Sequence, residues 1–253
     1  MLNSPFFKEN NSFVFGGSQH LWSLVFCFLF GVILIYVSKK YATKKQQNTI
    51  GNIFAIALSL SVVFAIILKI GLNEFDIKND LPFHLCSLIA LLLPIYSLTR
   101  KKGIYEVILF WILAGTLQSV ITPDVVFGFP HYTYIKYWFT HAGLIVFIFY
   151  ATFIYNSRPS LKSVFKSFLV LQVYLVFIFF INRIFNSNYF YINGKPEVTT
   201  LLDSFGEWPY YILVGELVII PFFLLIYLPF YISKRKYNLF SKELRLIFKS
   251  FKF

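Results

Sequence analysis

The chain has 253 residues, of which 58% are apolar, 21% aromatic and 13% charged, and it carries a net charge of +12. That balance excludes a soluble domain, whose surface needs far more polar residues, and leaves a polytopic membrane protein. The charge does not mark a nucleic-acid binder, because the cations sit in short clusters between apolar runs.

Residues 1–20 are polar and nearly uncharged, with Lys8 and Glu9 cancelling. The first apolar run, about 21–38, follows without a basic leader and is expected as a membrane helix rather than a cleaved signal. A cationic loop with Lys39, Lys40, Lys44 and Lys45 leads to the second run, about 50–72. An acidic loop with Glu74, Asp76 and Asp80 precedes the third, about 82–98, which ends at Arg100, Lys101 and Lys102. The fourth run is about 104–121, and its outer loop carries Asp124 and His131. The fifth, about 134–155, is followed by Arg158, Lys162 and Lys166, and the sixth is about 164–185. A long polar loop, 186–208, holds Glu197, Asp203 and Glu207, and the seventh run is about 209–232. The basic tail, 233–253, mixes lysines with Leu239, Phe240, Leu244, Ile247, Phe248 and Phe251. It is expected in the cytoplasm, either along the anionic inner leaflet or solvated.

Each run has the ~17–25 residues that cross the hydrocarbon. The expected fold is therefore all-α, a seven-transmembrane-helix bundle spanning 21–232. Lys and Arg crowd alternate ends, so the positive-inside rule places the N-terminus outside and the C-terminus in the cytoplasm. The 186–208 loop is too long for a simple turn and is expected to fold over the outer ends.

In that topology all four histidines, His20, His84, His131 and His141, fall on the outer side. Asp80 and Pro82 fit the cap and first turn of the third helix, which puts Cys86 about one turn inside its N-terminus. The partial positive charge there favours a thiolate. His84 is two residues away and points elsewhere on a regular helix, so a base must come from another element. His141 in the fifth helix lies at similar depth, as do Gln118 in the fourth, Arg183 in the sixth and Glu216 in the seventh. Polar groups at that depth are costly unless they face the bundle interior and find partners. A thiolate with a neutral imidazole is a nucleophile and its base, and Arg183, Gln118 or backbone N–H groups could hold an oxyanion. A site just under the outer surface meets the ester carbonyls of phospholipids, which points to acyl transfer or hydrolysis. The alternatives are a zinc site using His20, His84, His141 and Cys86, though without an HxxxH spacing, and a transporter or receptor whose binding site is this polar layer. Arg183 is expected to pair with Asp203, Glu207 or Glu216 and tie the loop over the Cys86 layer. There is no glycine-rich phosphate loop and no CxxC pair; the acyl-transfer reading needs neither cofactor nor metal, and its partners are membrane phospholipids.

Four segments carry a resemblance. They are 81–87 (Leu-Pro-Phe-His-Leu-Cys-Ser), Gln118 with Thr122-Pro123-Asp124, 138–143 (Trp-Phe-Thr-His-Ala-Gly), and 188–210 with Asn188, Tyr189, Lys195, Pro196, Asp203, Gly206, Glu207, Trp208 and Pro209. Together, over about 20–229, they resemble YwaF-type bacterial integral membrane proteins. These are similar in turn to the transmembrane protein 164 acyltransferases. The resemblance implies movement of fatty acyl groups between phospholipids in a bacterial cytoplasmic membrane, with Cys86 as nucleophile and His141 as base. It also implies supporting roles for His20, His84, Asn188, Tyr189, Asp203 and Trp208.

Overall fold

A computed structural model of the chain describes residues 12–196 and 200–250, with side chains described as far as Lys234. Among the described residues seven long helices run in chain order: α1 Ser18–Tyr41, α2 Lys44–Gly71, α3 Leu85–Thr99, α4 Lys102–Ile121, α5 Tyr132–Phe153, α6 Leu161–Phe185 and α7 Tyr210–Ser250. Among the described residues the only strand-like pairing is an isolated bridge between Ser12 and Phe127. Five helices are long and apolar enough to cross a membrane: α1, α2, α4, α6 and the Tyr210–Lys234 part of α7. The chain is a polytopic all-α membrane protein.

Local chemistry sets the helix ends. Thr43 opens α2 with a reciprocal box: its Oγ1 accepts from Gln46 N at 3.4 Å, and Gln46 Oε1 accepts from Thr43 N at 2.8 Å. Arg100 and Asn186 adopt left-handed backbone at the ends of α3 and α6, the conformation that stops a helix. The start of α3 departs from expectation. Pro82 and Asp80 do not open it; the helix begins at Leu85, with His84 extended as its N-cap. Asp80 is engaged elsewhere, pairing with Lys69 and accepting from Asp76 N at 2.9 Å. Pro82 also disfavours helical backbone at Leu81, and a turn from Phe83 N to Leu81 O fills the gap. At 15 residues α3 is only ~22 Å long.

The helix predicted over 209–232 also differs, because α7 continues unbroken through much of the basic tail. How the tail's side chains face an inner leaflet lies outside the described residues.

The main core joins α2, α3, α4, α5 and α6, with Leu58, Tyr96, Tyr105, Phe110 and Phe147 fully buried. In lipid, helices gain little from apolar burial against one another and depend on close packing. Small residues permit it here. A Cβ on Gly143 of α5 would lie 2.4 Å from Leu58 of α2. α1 packs along α5 around a smaller cluster of Val120, Val125, Tyr134, Trp138 and Ala142. α7 leans on α6 and on α4, where Phe223 meets Phe110. The outer faces of α1, α6 and α7 are rich in exposed Leu, Val and Phe, as a lipid-facing surface requires.

Candidate active site

The first turn of α3 is the centre of the site. Cys86 is its second helical residue, not one turn deep as the sequence suggests, because the helix starts later. N–H groups in a helix's first turn have no intrahelical acceptor, so this turn presents donors beside the thiol. The Cys86 sulfur lies 3.2 Å from the Thr116 hydroxyl of α4, with Ser119 also beside it. Thr116 closes a widened turn over Ile112–Thr116, in which Leu117 N bonds back five residues to Ile112 O. Such π turns insert one extra residue and re-aim the side chains around them. Thr116 is fully buried.

His141 lies in α5. Its Nδ1 is 2.9 Å from the Tyr137 carbonyl. A carbonyl can only accept, so Nδ1 carries the proton and Nε2 keeps its lone pair. Tyr137 stacks on the imidazole with ring centres 4.0 Å apart, fixing its plane. The Tyr137 hydroxyl in turn donates to Ser119 O at 2.6 Å and accepts from Asp124 N. No hydrogen bond joins Cys86 to His141. The thiol is within electrostatic reach of Lys136, Tyr137, Tyr174 and Tyr191, and His141 of Lys136 and His84. Cys86 and His141 are thus linked through a shared neighbourhood around Lys136 and Tyr137.

A cavity of about 310 Å³ opens beside this layer, lined by Lys69, Asp80, Pro82, His84, Ser87, Asp124, Lys136 and Tyr137 among others. The chain after α6 covers the start of α3 with tyrosines. Tyr189 is fully buried; its hydroxyl accepts from Leu81 N at 3.0 Å and donates to Ile77 O at 2.6 Å. The His84 ring sits between Tyr189 and Tyr191, at 5.2 and 5.3 Å. Tyr191 donates to Asp124, and burial together with that carboxylate pushes its phenol well above the usual range. Burial likewise pushes Tyr189 up to about 12, with the charges of Asp80 and Asp76 adding to the effect. Asn182 locks the segment by accepting from Tyr189 N at 2.8 Å and donating to Tyr189 O at 3.0 Å.

The other predicted residues divide. His84 and Tyr189 belong to this layer. Asn188 shapes the covering loop, donating to Gly194 O and accepting from Asn193 N. Trp208 is exposed and donates to Ile192 O at 3.1 Å. His20 is buried with both ring nitrogens bound to backbone: Nδ1 accepts from Gly16 N, and Nε2 donates to Val120 O, each at 3.1 Å. It fastens α1 to α4 and has no lone pair to offer a reaction. Gln118 donates to Thr122 within its own helix end. Glu216 accepts from Gln172 at 2.7 Å and ties α7 to α6. The expected pairing of Arg183 does not form. Arg183 is exposed, and Asp203 and Glu207 are taken by Lys195, at 3.7 and 3.2 Å. The reason is proximity along the loop, since Lys195 shares it with both acids. Glu197 lies outside the described residues. Among the described residues no three His, Cys, Asp or Glu side chains converge as a metal would need.

Sequence reasoning misses Thr116, Tyr137, Tyr174, Tyr191 and Lys136. A lysine in the first turns of an otherwise apolar run was a usable signal for Lys136. Nothing in the local sequence announces the π turn that aims Thr116.

Among known proteins, the chain is 28% identical over 165 residues to an uncharacterized protein of Treponema pallidum (strain Nichols), a match covering 64% of this chain and 66% of that protein. No solved structure is significantly similar to it. The model of the TMEM164 family matches residues 14–227, which takes in the first six helices, the start of the seventh, the covering loop and both Cys86 and His141. The chain belongs to the TMEM164 family.

Proposed function

We propose that this membrane protein is a phospholipid acyltransferase, or acyl hydrolase, working through a Cys86 thioester near the outer leaflet of a bacterial cytoplasmic membrane. All seven helices span it, with the N-terminus outside and the basic tail inside, following the alternation of Lys and Arg. The short α3 then begins slightly below the outer surface. Its non-helical approach, residues 81–84, is tolerated at that depth because Tyr189 accepts from Leu81 N and Tyr174 donates to Phe83 O.

The observation that carries the reading is the fixed tautomer of His141, with Nδ1–H given to the Tyr137 carbonyl and Nε2 left basic, in the same layer as a thiol at a helix N-terminus. In the reaction Nε2 takes the Cys86 proton, and the thiolate attacks the ester carbonyl of a phospholipid. The C–S bond forms, and the oxyanion is met by N–H groups of the α3 first turn. The C–O bond then breaks, and the leaving lysolipid oxygen takes the proton from the imidazolium. A second lysolipid hydroxyl, or water, gives its proton to Nε2 and attacks the thioester, which releases the thiolate. The resting gap between Cys86 and His141 must close when lipid binds, as is common for catalytic hydrogen bonds.

The test is intact-mass analysis of the purified protein after incubation with a defined phospholipid. An acyl adduct that is cleaved by hydroxylamine, maps to Cys86 and is absent in Cys86→Ser is expected. Adducts equally on Cys27, or no adduct and no lysolipid from any phospholipid class, would overturn the reading and favour a non-enzymatic binding role for the same polar layer.

A further inference from the structure

The cavity beside Cys86 holds an unusual cation. Lys69 and Asp80, both in its wall, neutralise each other as an ion pair. Asp124 accepts from the Tyr191 hydroxyl. Lys136 also lines the wall and is half-buried. Among the described residues it has neither an ion-pair partner nor a hydrogen-bond acceptor. Lys69 and Asp80 act on it from within the fold, and Asp80 is already held by Lys69. An ammonium at the edge of hydrocarbon without a partner is costly, which is why such groups mark ligand paths. The His84 ring lines the same cavity, held edge-on to Tyr189 and tilted against Tyr191, and its nitrogens form no hydrogen bond among the described residues.

We infer that Lys136, assisted by His84, is a phosphate subsite that takes the phosphodiester headgroup of a membrane glycerophospholipid. This inference rests on the acyl-transfer reading for its substrate class. The size agrees: about 310 Å³ is at the small end of ligand pockets and holds a phosphoglycerol headgroup but not acyl chains. The position agrees as well. Lys136 precedes Tyr137, whose ring orders His141, and its charge reaches both Cys86 and His141. In a glycerophospholipid the ester carbonyls lie only a few bonds from the phosphate. A headgroup held at Lys136 therefore delivers an ester to the Cys86 layer while the tails extend along the exposed apolar helix faces.

The test is binding to the full-length Cys86→Ser protein in detergent, read by native mass spectrometry against three probes. These are a phosphatidylglycerol, the diacylglycerol with the same chains, and inorganic phosphate. Phosphatidylglycerol is expected to bind at least tenfold tighter than diacylglycerol. Lys136→Met should erase that difference, while Lys136→Arg, which keeps the charge, should retain most of it. Equal binding of the two lipids, or a preference that survives Lys136→Met, would overturn the inference. So would Lys136-dependent binding of inorganic phosphate with no lipid preference, since that makes the source a free anion. Acyl transfer is scored separately on the protein with its cysteine intact. Lys136-dependent lipid binding without any transfer leaves the subsite standing and removes the enzyme reading. Transfer whose KM is untouched by Lys136→Met does the reverse.

Discussion

Replacing Tyr189 by Phe tests whether the loop after α6 controls access to Cys86. The substitution keeps the ring that packs on Phe83 and His84 and deletes one oxygen. That oxygen makes two bonds, from Leu81 N at 3.0 Å and to Ile77 O at 2.6 Å. Leaving such groups unpaired costs about 1–3 kcal/mol. If a reagent reaches Cys86 only when the segment opens locally, the opening becomes easier by the same amount. Each ~1.4 kcal/mol is tenfold, so labelling should quicken roughly 5- to 150-fold. The assay is the alkylation rate of Cys86 by a lipid-like maleimide in a Cys27→Ala background. Tyr210→Phe, at an exposed phenol, serves as the control. A fall in thermal stability with a labelling rate within twofold of the parent would refute the gating argument, because the bonds would then hold the fold without guarding the thiol.

Four further outcomes are expected. Thr116→Val, which removes the hydroxyl 3.2 Å from the Cys86 sulfur, should slow labelling of Cys86 about tenfold at fixed pH, as loss of a hydrogen bond to a charged sulfur implies. Arg183→Met should leave both detergent stability and Cys86 labelling at parental values, and a drop in both would mean that Arg183 has an internal partner after all. Cysteines placed at Asn193 and Lys101 should differ toward an impermeant reagent on intact cells, with only the Asn193 site labelled; the reverse pattern would invert the orientation. Alkaline stability carries a sign of its own. The folded state holds Tyr189 neutral up to about 12, so its contribution is complete below the ordinary phenol value of ~10 and is lost as pH rises from there. Thermal unfolding should therefore fall off less steeply above pH ~10 in Tyr189→Phe than in the parent.

The apolar periods made the helices legible, because a bilayer demands long apolar runs and every one of the seven produced a helix. The ends were less legible where side chains had competing uses. Asp80 reads as a cap in sequence, but a lysine one helix earlier claims it, which no local pattern reveals. Depth estimates from the rise per residue put Cys86 and His141 at similar depth, and in the structure the two share Lys136 and Tyr137 as neighbours without touching. They could not rank the polar residues of that layer. His20 and His141 look alike in sequence, yet one spends both nitrogens on backbone and the other keeps one free. The charge reading of the loop failed for a similar reason. Depth matches Arg183 to the acids, while Lys195 reaches them along the chain itself.

The π turn in α4 has a consequence for how this sequence can change. Its extra residue advances everything C-terminal to it by about 100° and ~1.5 Å relative to a regular helix. Deleting one residue within Ile112–Thr116 would restore a plain α-helix without shortening any loop or breaking any span. The same deletion would swing the hydroxyl at Thr116 away from the Cys86 sulfur and shift the Ser119 carbonyl that anchors Tyr137. A chain with that gap would keep the bundle and lose the alignment of its thiol, so the length of this one turn separates a functional relative from a structural one when two sequences are compared.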